Sequence, residues 1–338
     1  MAYGRAPGYP DYSSAGLSAF IPEIWSTKLV EKFYDATVLT HISNTNYEGE
    51  IKGLGDRVWI RTRGTVPVYM NVYQKGGVLP PPDRIESPKV MLFIDQNTHS
   101  YFGIDDIDKY QSDIALMSQW AEDRTENEKV AIDTDVLAYV LGFGGYNPAI
   151  QYTVSQVDAL NQGATAGRVS GLYNLGVYDS TGVASAPAQV TTANIIKYLA
   201  MAEAVLGEYN IPDDASKFFI MPRVMAMLLK TSDIKDASMM GDATSALRSG
   251  RLGRLLNFTL YASNLLPAVV DPTTGQLSFF CLFGHPLGLT FADQFVEMDY
   301  IDKPETTFGK FLKYLHVYGR QVIKPSAIGC LYAAPTIT

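Results

Sequence analysis

The chain has 338 residues, of which 47% are hydrophobic and 18% charged, with a net charge of −8. That length predicts roughly two domains able to bury their own cores without a disulfide or metal staple, and a mean hydropathy of zero with no long apolar run excludes a membrane-spanning helix. A pI near 5.1 argues against a surface built to grip nucleic acid phosphates, so any DNA nearby is enclosed rather than bound.

Met1 to about Phe20 lacks the apolar stretch of a secretory signal and shows neither helical nor alternating periodicity. Gly, Pro and Ser are interleaved with Tyr3, Tyr9, Tyr12 and Phe20, which predicts an arm that orders against a partner through its aromatic area. Pro22 and Glu23 then open an amphipathic helix, with Trp25, Leu29, Phe33 and Tyr34 near one face.

From Gly49 to Asp106 the pattern is β. Val58, Ile60 and Thr62 alternate with Trp59, Arg61 and Arg63, and a second stretch runs from Val90 through Ile94 to Tyr101. Between them, Gly64 to Lys89 holds Pro67, Gly76, Gly77, Pro80, Pro81, Pro82 and Pro88. Structureless loops beyond about 12–15 residues are uncommon inside compact domains and a lone hairpin is marginal in water, so this excursion needs support from a neighbouring subunit.

Ile107, Tyr110, Ile114, Met117 and Ala121 fall at helical steps, and the stripe resumes at Ile132, Val136, Tyr139 and Val140. With Asp105 and Asp106 as caps and Gly142 as a stop, a continuous helix from Asp106 to Leu141 would be a spine roughly 50 Å long. Its polar middle (Glu122, Asp123, Arg124, Glu126, Glu128, Lys129) predicts a face in solvent or at a subunit boundary.

Gly142 to Val190 reads as loops and small strands. Thr191 or Thr192 caps a helix through Ile195, Tyr198, Leu199, Ala202 and Leu206. Phe218 to Pro222 is strand-like and leads to a short helix over Val224 to Leu229. After a polar loop come β pieces at Phe258 to Ser263, Leu277 to Phe283, Leu289 to Ala292, Phe311 to Gly319 and Ala327 to Ala333. The class is α+β, with segregated elements.

The chemistry of a site is sparse. His41, His99, His285 and His316 show no close spacing with one another or with a cysteine, as a zinc site requires, and no cofactor is implied. Asp105, Asp106 and Asp108 resemble the start of a calcium loop, but Gln111 and Met117 stand where Gly and Glu are needed, which favours helix capping. No G-x-S-x-G elbow is present, and Cys281 and Cys330, inside FFCLF and IGCLYA, read as reduced core residues; a triad assembled from distant residues stays open. Gly142, Gly144 and Gly145 lack the Lys-Ser/Thr ending of a phosphate loop. Arg248, Arg251 and Arg254 form the one basic cluster of note; phosphate binding is open, and carboxylate pairing between subunits is the preferred reading.

Several stretches carry a family likeness. FIPEIWSTKLVEKFYDATVL (Phe20 to Leu39) with NTNYEGEIKGLGDRVWIR (Asn44 to Arg61), YFGIDDIDKYQSDIALMSQWAED (Tyr101 to Asp123), LLKTSDIKDAS (Leu228 to Ser238), SGRLGRLLNFTLYASNLL (Ser249 to Leu266) and LHVYGRQVIKPSAIGCLYA (Leu315 to Ala333) resemble blocks of tailed-bacteriophage major capsid proteins of the Hong Kong 97-like fold. Tyr146 to Gln189 resembles nothing nameable.

The resemblance implies an N-terminal arm (1–45), an extended loop with flanking strands (46–103), a peripheral-domain spine helix (104–145), an axial domain (146–290) and peripheral return strands (291–338), the last of them a candidate to re-enter the axial domain. It implies a virion shell protein that assembles in the host bacterial cytoplasm into hexamers and pentamers, closing an icosahedral head around double-stranded DNA without enzymatic activity. Its partners would be other copies of itself, a separate scaffolding protein, a portal and a decoration protein, with no membrane. Tyr3, Tyr9, Tyr12, Phe20, Lys75, Arg248, Arg251 and Arg254 are the expected inter-subunit contacts. Some relatives form Lys-to-Asn crosslinks; Lys75 lies in the excursion, but no motif marks its Asn and acid partners, so that chemistry is not carried over. The rivals are an encapsulin-type compartment shell and, from another class, a hydrolase whose site is scattered in sequence.

Overall fold

The computed structural model describes residues 37–45, 57–61, 66–68, 75–77, 82–85, 89–105, 116–141, 173–176, 185–214, 216–232, 251–271, 275–302 and 309–337. The expected arm with Tyr3, Tyr9, Tyr12 and Phe20, the helix from Pro22, the glycines at 142–145 and Arg248 lie outside them.

A short helix α1 (Leu39–Ile42) precedes β1 (Arg57–Arg61) and β2 (Lys89–Phe93), an antiparallel pair at the base of the excursion. Alternation turns Val58, Ile60 and Leu92 inward against Ile94, Ala292, Val317 and Ile323. The stretch that reads as one strand from Val90 to Tyr101 is two. The chain leaves β2 at Ile94 and starts β3 (Gln96–Asp105) in a different sheet. Asp105 is the last residue of that strand, and Asp106, the other expected cap, lies outside the described residues.

Helix α2 (Leu116–Val140) is the described part of the spine, and beyond Ala131 it is buried almost all round. β4 (Ala188–Val190) leads to α3 (Ile195–Glu208). Asn194, rather than Thr191 or Thr192, holds the cap position of α3. Its side chain reaches backward, accepting from the Thr191 amide at 2.7 Å and donating to the Gln189 carbonyl at 2.8 Å. β5 (Phe218–Met221), α4 (Arg223–Thr231), β6 (Arg251–Leu255), β7 (Phe258–Ala262), β8 (Ala268–Val270), β9 (Leu277–Gly284), β10 (Leu289–Asp302), β11 (Gly309–Val322) and β12 (Ile328–Pro335) complete the chain. The polar loop expected before Phe258 thus contains a strand, β6, and the LTFA piece opens a strand of 14 residues, β10.

Two larger sheets result. In the three-stranded one, β11 lies between β10 and β3, antiparallel to both. In the seven-stranded one the order is β4-β12-β9-β5-β7-β6 with β8 also on β9, and the last strand, β12, lies second from the edge between β4 and β9. β5, β7 and β12 are buried along nearly their whole length, because helices cover both faces. On one face α3 and α4 pack with Phe219, Phe258, Phe283 and Leu331; on the other the end of α2 and Ile42 of α1 pack with Phe218, Phe280, Cys330 and Tyr332. Each fully buried Phe or Leu contributes about 1.5–3 kcal/mol. Cys281 belongs to the first face and Cys330 to the second, so the two free thiols point apart.

Candidate functional site

The end of α2 is shared by both sheets, and its polar residues make the join to the three-stranded one. Arg124, Glu128, Asp135 and Tyr139 recur at steps of four and seven, which puts them on one helical face. Opposite them, the period of two along β11 presents Tyr314, His316, Tyr318 and Arg320.

Arg124 donates from Nε to the Ser100 hydroxyl at 2.8 Å, pairs with Glu128, and lies 3.2 Å from the centre of the Tyr314 ring. Thr98 donates its hydroxyl to Glu128 at 2.6 Å. His316 stands between two carboxylates, with Nδ1 2.9 Å from Glu128 and Nε2 against Asp293 of β10. Further along, Asp135 accepts from the Tyr318 hydroxyl at 2.9 Å and from Nη2 of Arg320 at 2.9 Å, and Asp135 and Arg320 form an ion pair; the Arg320 guanidinium stacks 4.7 Å from the Tyr139 ring.

These neighbours set the protonation states. The hydrogen bonds to Asp293 and then Glu128 raise His316 to about 9 against the opposing effect of burial, so it is an imidazolium donating from both nitrogens. Burial alone would raise the Glu128 carboxyl, but hydrogen bonds from His316, Thr98 and Arg124 bring it down to about 2. Burial raises Asp135 in spite of Arg320 and Tyr318. Burial also raises Asp133 to about 6, although the amides of Val38 and Leu39 at the start of α1 favour its charged form; Val38 N–H donates to it at 2.9 Å.

Sequence alone puts one face of this polar middle in solvent or at a subunit boundary, and Glu122 and Lys129 are exposed. Arg124 and Glu128 instead turn inward, their side chains 12% and 8% exposed. No pattern in the sequence pairs them with His316, because the partner is 188 positions away.

A cleft of about 770 Å³ lies between β1 and the turn after α3, lined by Ile60, Arg61, Tyr209, Ile211, Leu287 and Lys324 among others. His285 on its wall accepts the Leu287 amide at Nδ1 (3.1 Å) and holds Asp214 at Nε2 (3.1 Å). With both nitrogens of His285 and both of His316 committed, neither imidazole has a lone pair to activate a nucleophile. Among the described residues no group of three His, Cys, Asp or Glu side chains is placed to hold a metal ion.

A second concavity, about 350 Å³, lies on the three-stranded sheet face turned away from α2. Register makes it from two rows that cross all three strands, Tyr101–Lys313–Asp299 and His99–Leu315–Glu297. Of the expected contact residues, Lys75 is exposed at a turn where Gly76 takes φ +84°, and Arg254 is exposed on β6, whose backbone also includes Arg251.

No protein-family model and no curated protein matches the chain. Solved structures do. A chain of Mycobacterium phage Che8 superposes with a TM-score of 0.66 at 24% identity, covering 93% of this chain and 97% of that one. The capsid structure of the cyanophage P-SCSP1u matches with a TM-score of 0.64 at 15% identity over 99% and 100% of the two chains, and the capsid of Ralstonia phage GP4 with 0.62 at 13% over 98% and 97%. The fold is the Hong Kong 97-like capsid fold. In this version of the Hong Kong 97-like fold, the His316 seam fastens the spine helix to the three-stranded sheet, and the β1–β2 pair seats the base of the excursion on the opposite face of that sheet.

Proposed function

We propose that the protein is the major capsid subunit of a tailed-phage head. It assembles into hexamers and pentamers of an icosahedral shell around double-stranded DNA and carries no enzymatic activity. The supporting observation is that the likeness to phage capsid chains runs over at least 93% of both chains for each of the three solved structures above.

In this reading the three-stranded sheet with α2 is the core of the peripheral domain, and the seven-stranded sheet with α3 and α4 is the axial domain packing around capsomer centres. Gly64 to Lys89 lies over an adjacent subunit. Val66, Val68 and Ile85 in it are exposed, Val68 by 80%, which suits a segment that finds its cover on another copy. The N-terminal arm with Tyr3, Tyr9, Tyr12 and Phe20 reaches a further neighbour, and Lys75, Arg248, Arg251 and Arg254 belong to subunit contacts. Each contact can be weak, because a subunit held at several points gains avidity that no single interface supplies. A separate scaffolding protein, a portal and a decoration protein complete the particle, which forms in the bacterial cytoplasm. The net charge of −8 fits DNA that is enclosed without being gripped.

Electron microscopy of the expressed protein tests the reading directly. Closed shells are expected from the parent chain, and soluble capsomers or aggregates from a chain lacking residues 66–88. Normal shells from the deletion would remove the excursion from assembly, and failure of the parent to form particles under any assembly condition would count against the capsid role itself.

A further inference from the structure

The cleft of about 770 Å³ beside β1 is framed by the two short turns that carry the chain between the larger sheets, Pro286–Gly288 from β9 to β10 and Pro325–Ala327 from β11 to β12. The turns are bonded to each other. The His285 amide donates to the Ala327 carbonyl at 2.9 Å, and the Ile323 amide to the Gly288 carbonyl at 2.8 Å. A further wall is the turn after α3, where Asn210 takes φ +56° and the Ile211 amide returns to the Leu206 carbonyl at 3.2 Å. Backbone hydrogen bonds thus fix the shape of the cleft before anything enters it.

Its chemistry has two parts. Ile60, Ile323 and Ala327 are the buried part of the lining, and Ile211 and the 43% exposed Leu287 extend it, so it is mainly aliphatic. Arg61 from β1 and Lys324 from the turn after β11 are both exposed, and neither makes an ion pair among the described residues. The lining holds no Asp or Glu. The carboxylates that follow the α3 turn, Asp213 and Asp214, are already held by Lys217 and by Nε2 of His285.

Arg61 also joins the cleft to a wider pattern of charge. Between Arg57 and Lys89 there are six cationic residues (Arg57, Arg61, Arg63, Lys75, Arg84, Lys89) and two acidic ones, Asp83 and Glu86, a net of +4 in a chain whose total is −8. Strand alternation sends Trp59 to the same side as Arg61, and Arg61 is the cross-strand neighbour of Lys89, whose ammonium lies 6.0 Å from the Trp59 ring. Trp59 is 56% exposed there. The cleft therefore continues into a cationic strip that carries an exposed indole.

We propose that the cleft and this strip are the docking site for an acidic peptide segment of a separate protein, its carboxylates set on Arg61 and Lys324 and an aliphatic side chain against Ile60, Ile323 and Leu287. The inference rests on the capsid reading, in which further proteins join the shell, and adds to it where one of them is received. The occupant follows from complementarity, since free cations beside an aliphatic lining, in a chain that is otherwise acidic, match a segment bringing both carboxylates and apolar area. The chain's own acidic sheet face cannot be that segment, because Glu297 and Asp299 themselves line a concavity. A segment held here touches β1, both sheet-crossing turns and the turn after α3 at once, so its docking pins the base of the excursion to the seven-stranded sheet.

Peptide binding tests it. The full chain is titrated into a labelled short peptide of alternating Glu and Leu and read by fluorescence anisotropy, beside three other probes: alternating Lys and Leu, Glu alone, and an oligothymidylate. Saturable binding is expected for the Glu-Leu peptide alone, weakening as salt is added. Arg61→Glu with Lys324→Glu is expected to weaken it at least about tenfold and to create binding of the Lys-Leu peptide. Leu287→Ser is expected to weaken it as well. All three positions are exposed, and circular dichroism verifies that the variants keep the fold. No saturable binding, or binding unchanged in the charge variant, overturns the proposal. Equal binding of the Glu peptide overturns the aliphatic contact, stronger binding of the oligothymidylate makes the site one for nucleic acid, and self-association of the parent that the charge variant abolishes, without peptide binding, gives it to a second copy. The titration reads the site whether or not shells form, whereas absence of particles in electron microscopy of the parent sinks the capsid reading alone.

Discussion

Glu128 of the spine helix and His316 of the central strand of the three-stranded sheet, 188 positions apart, meet at 2.9 Å, and Asp293 holds the other nitrogen of the same ring. Breaking a buried ionic contact by removing one member leaves the others uncompensated, so this seam fixes how the helix lies on the sheet.

The first prediction concerns its pH window. His316 rises from 6.5 to about 9 on folding, so its contribution is complete below pH 6.5 and is lost as pH rises through 9. Glu128 falls from 4.5 to about 2, so its contribution is complete above pH 4.5 and is lost as pH falls through 2. Both are fully present between about pH 4.5 and 6.5. His316→Gln is expected to lower stability by about 3 kcal/mol at pH 6 and by progressively less toward pH 10. Denaturant titrations of parent and variant across that range check it, and a difference that stays constant from pH 6 to 10 refutes it.

The second prediction runs in the opposite direction. Asp133 is raised from 3.8 to about 6 by burial, so the folded state carries a penalty above pH 6 that is relieved as pH falls toward 3.8. Asp133→Asn keeps a carbonyl acceptor for the Val38 amide and removes the charge, so at pH 8 it is expected to match or exceed the parent. Asp133→Ala leaves that amide without its acceptor and should lose about 1–3 kcal/mol, with faster hydrogen exchange over Leu39–Ile42. Equal losses from the two variants at pH 8 would show that the carboxylate charge itself is needed.

The parts of this fold that are legible in the sequence are those whose signal is local. Alternation at Val58 and Ile60 against Trp59 and Arg61 marks β1 and its two sides, and the apolar flanks of Cys281 and Cys330 mark buried strands. The apolar pattern of β10 is interrupted after Ala292 by Asp293 and Gln294, where the register shifts before Phe295, so a strand of 14 residues reads as a short piece. β6 is hidden because Gly253 takes φ +100° inside a five-residue strand with two arginines. The break between β2 and β3 has no local cause in composition; it exists because the chain changes sheets at Ile94 and Asp95. The seam on α2 is hidden for the same reason. Arg124 and Glu128 look like an ordinary solvated pair until β11 arrives from the far end of the chain.

A third prediction contrasts two glycines. A Cβ on Gly319 of β11 would stand 2.3 Å from the Phe93 carbonyl oxygen and 3.0 Å from Ile94 Cγ1, and a backbone oxygen cannot swing aside. Gly319→Ala is therefore expected to push the β1–β2 base off the sheet and to cost about 1–3 kcal/mol or more, visible as lost protection of β2 amides. A Cβ on Gly207 of α3 would meet nothing within 4 Å, so Gly207→Ala should raise stability by up to about 1 kcal/mol. Similar melting temperatures for the two variants would mean that the hairpin base is not held by this close approach.

The fourth prediction concerns the thiols. Burial pushes both Cys281 and Cys330 well above the ordinary thiol range, and their side chains belong to opposite faces of the seven-stranded sheet. Neither is a thiolate at neutral pH, and no rotation within the sheet brings the two sulfurs together. Native protein is expected to resist iodoacetamide at pH 8, and two carboxamidomethyl groups should appear only in denaturant, with no change on prior reduction. The core position should also be intolerant of polarity: Cys281→Ser places a hydroxyl where the thiol now sits 3.4 Å from the Met225 sulfur, among Phe283 and Leu331, and is expected to cost about 1–3 kcal/mol. Cys281→Ala removes the sulfur without adding a buried donor, so it should be the milder change. If mass spectrometry finds rapid alkylation of the folded chain, the sheet opens on the timescale of the reagent, and the seven-stranded core is then far less rigid than its packing requires.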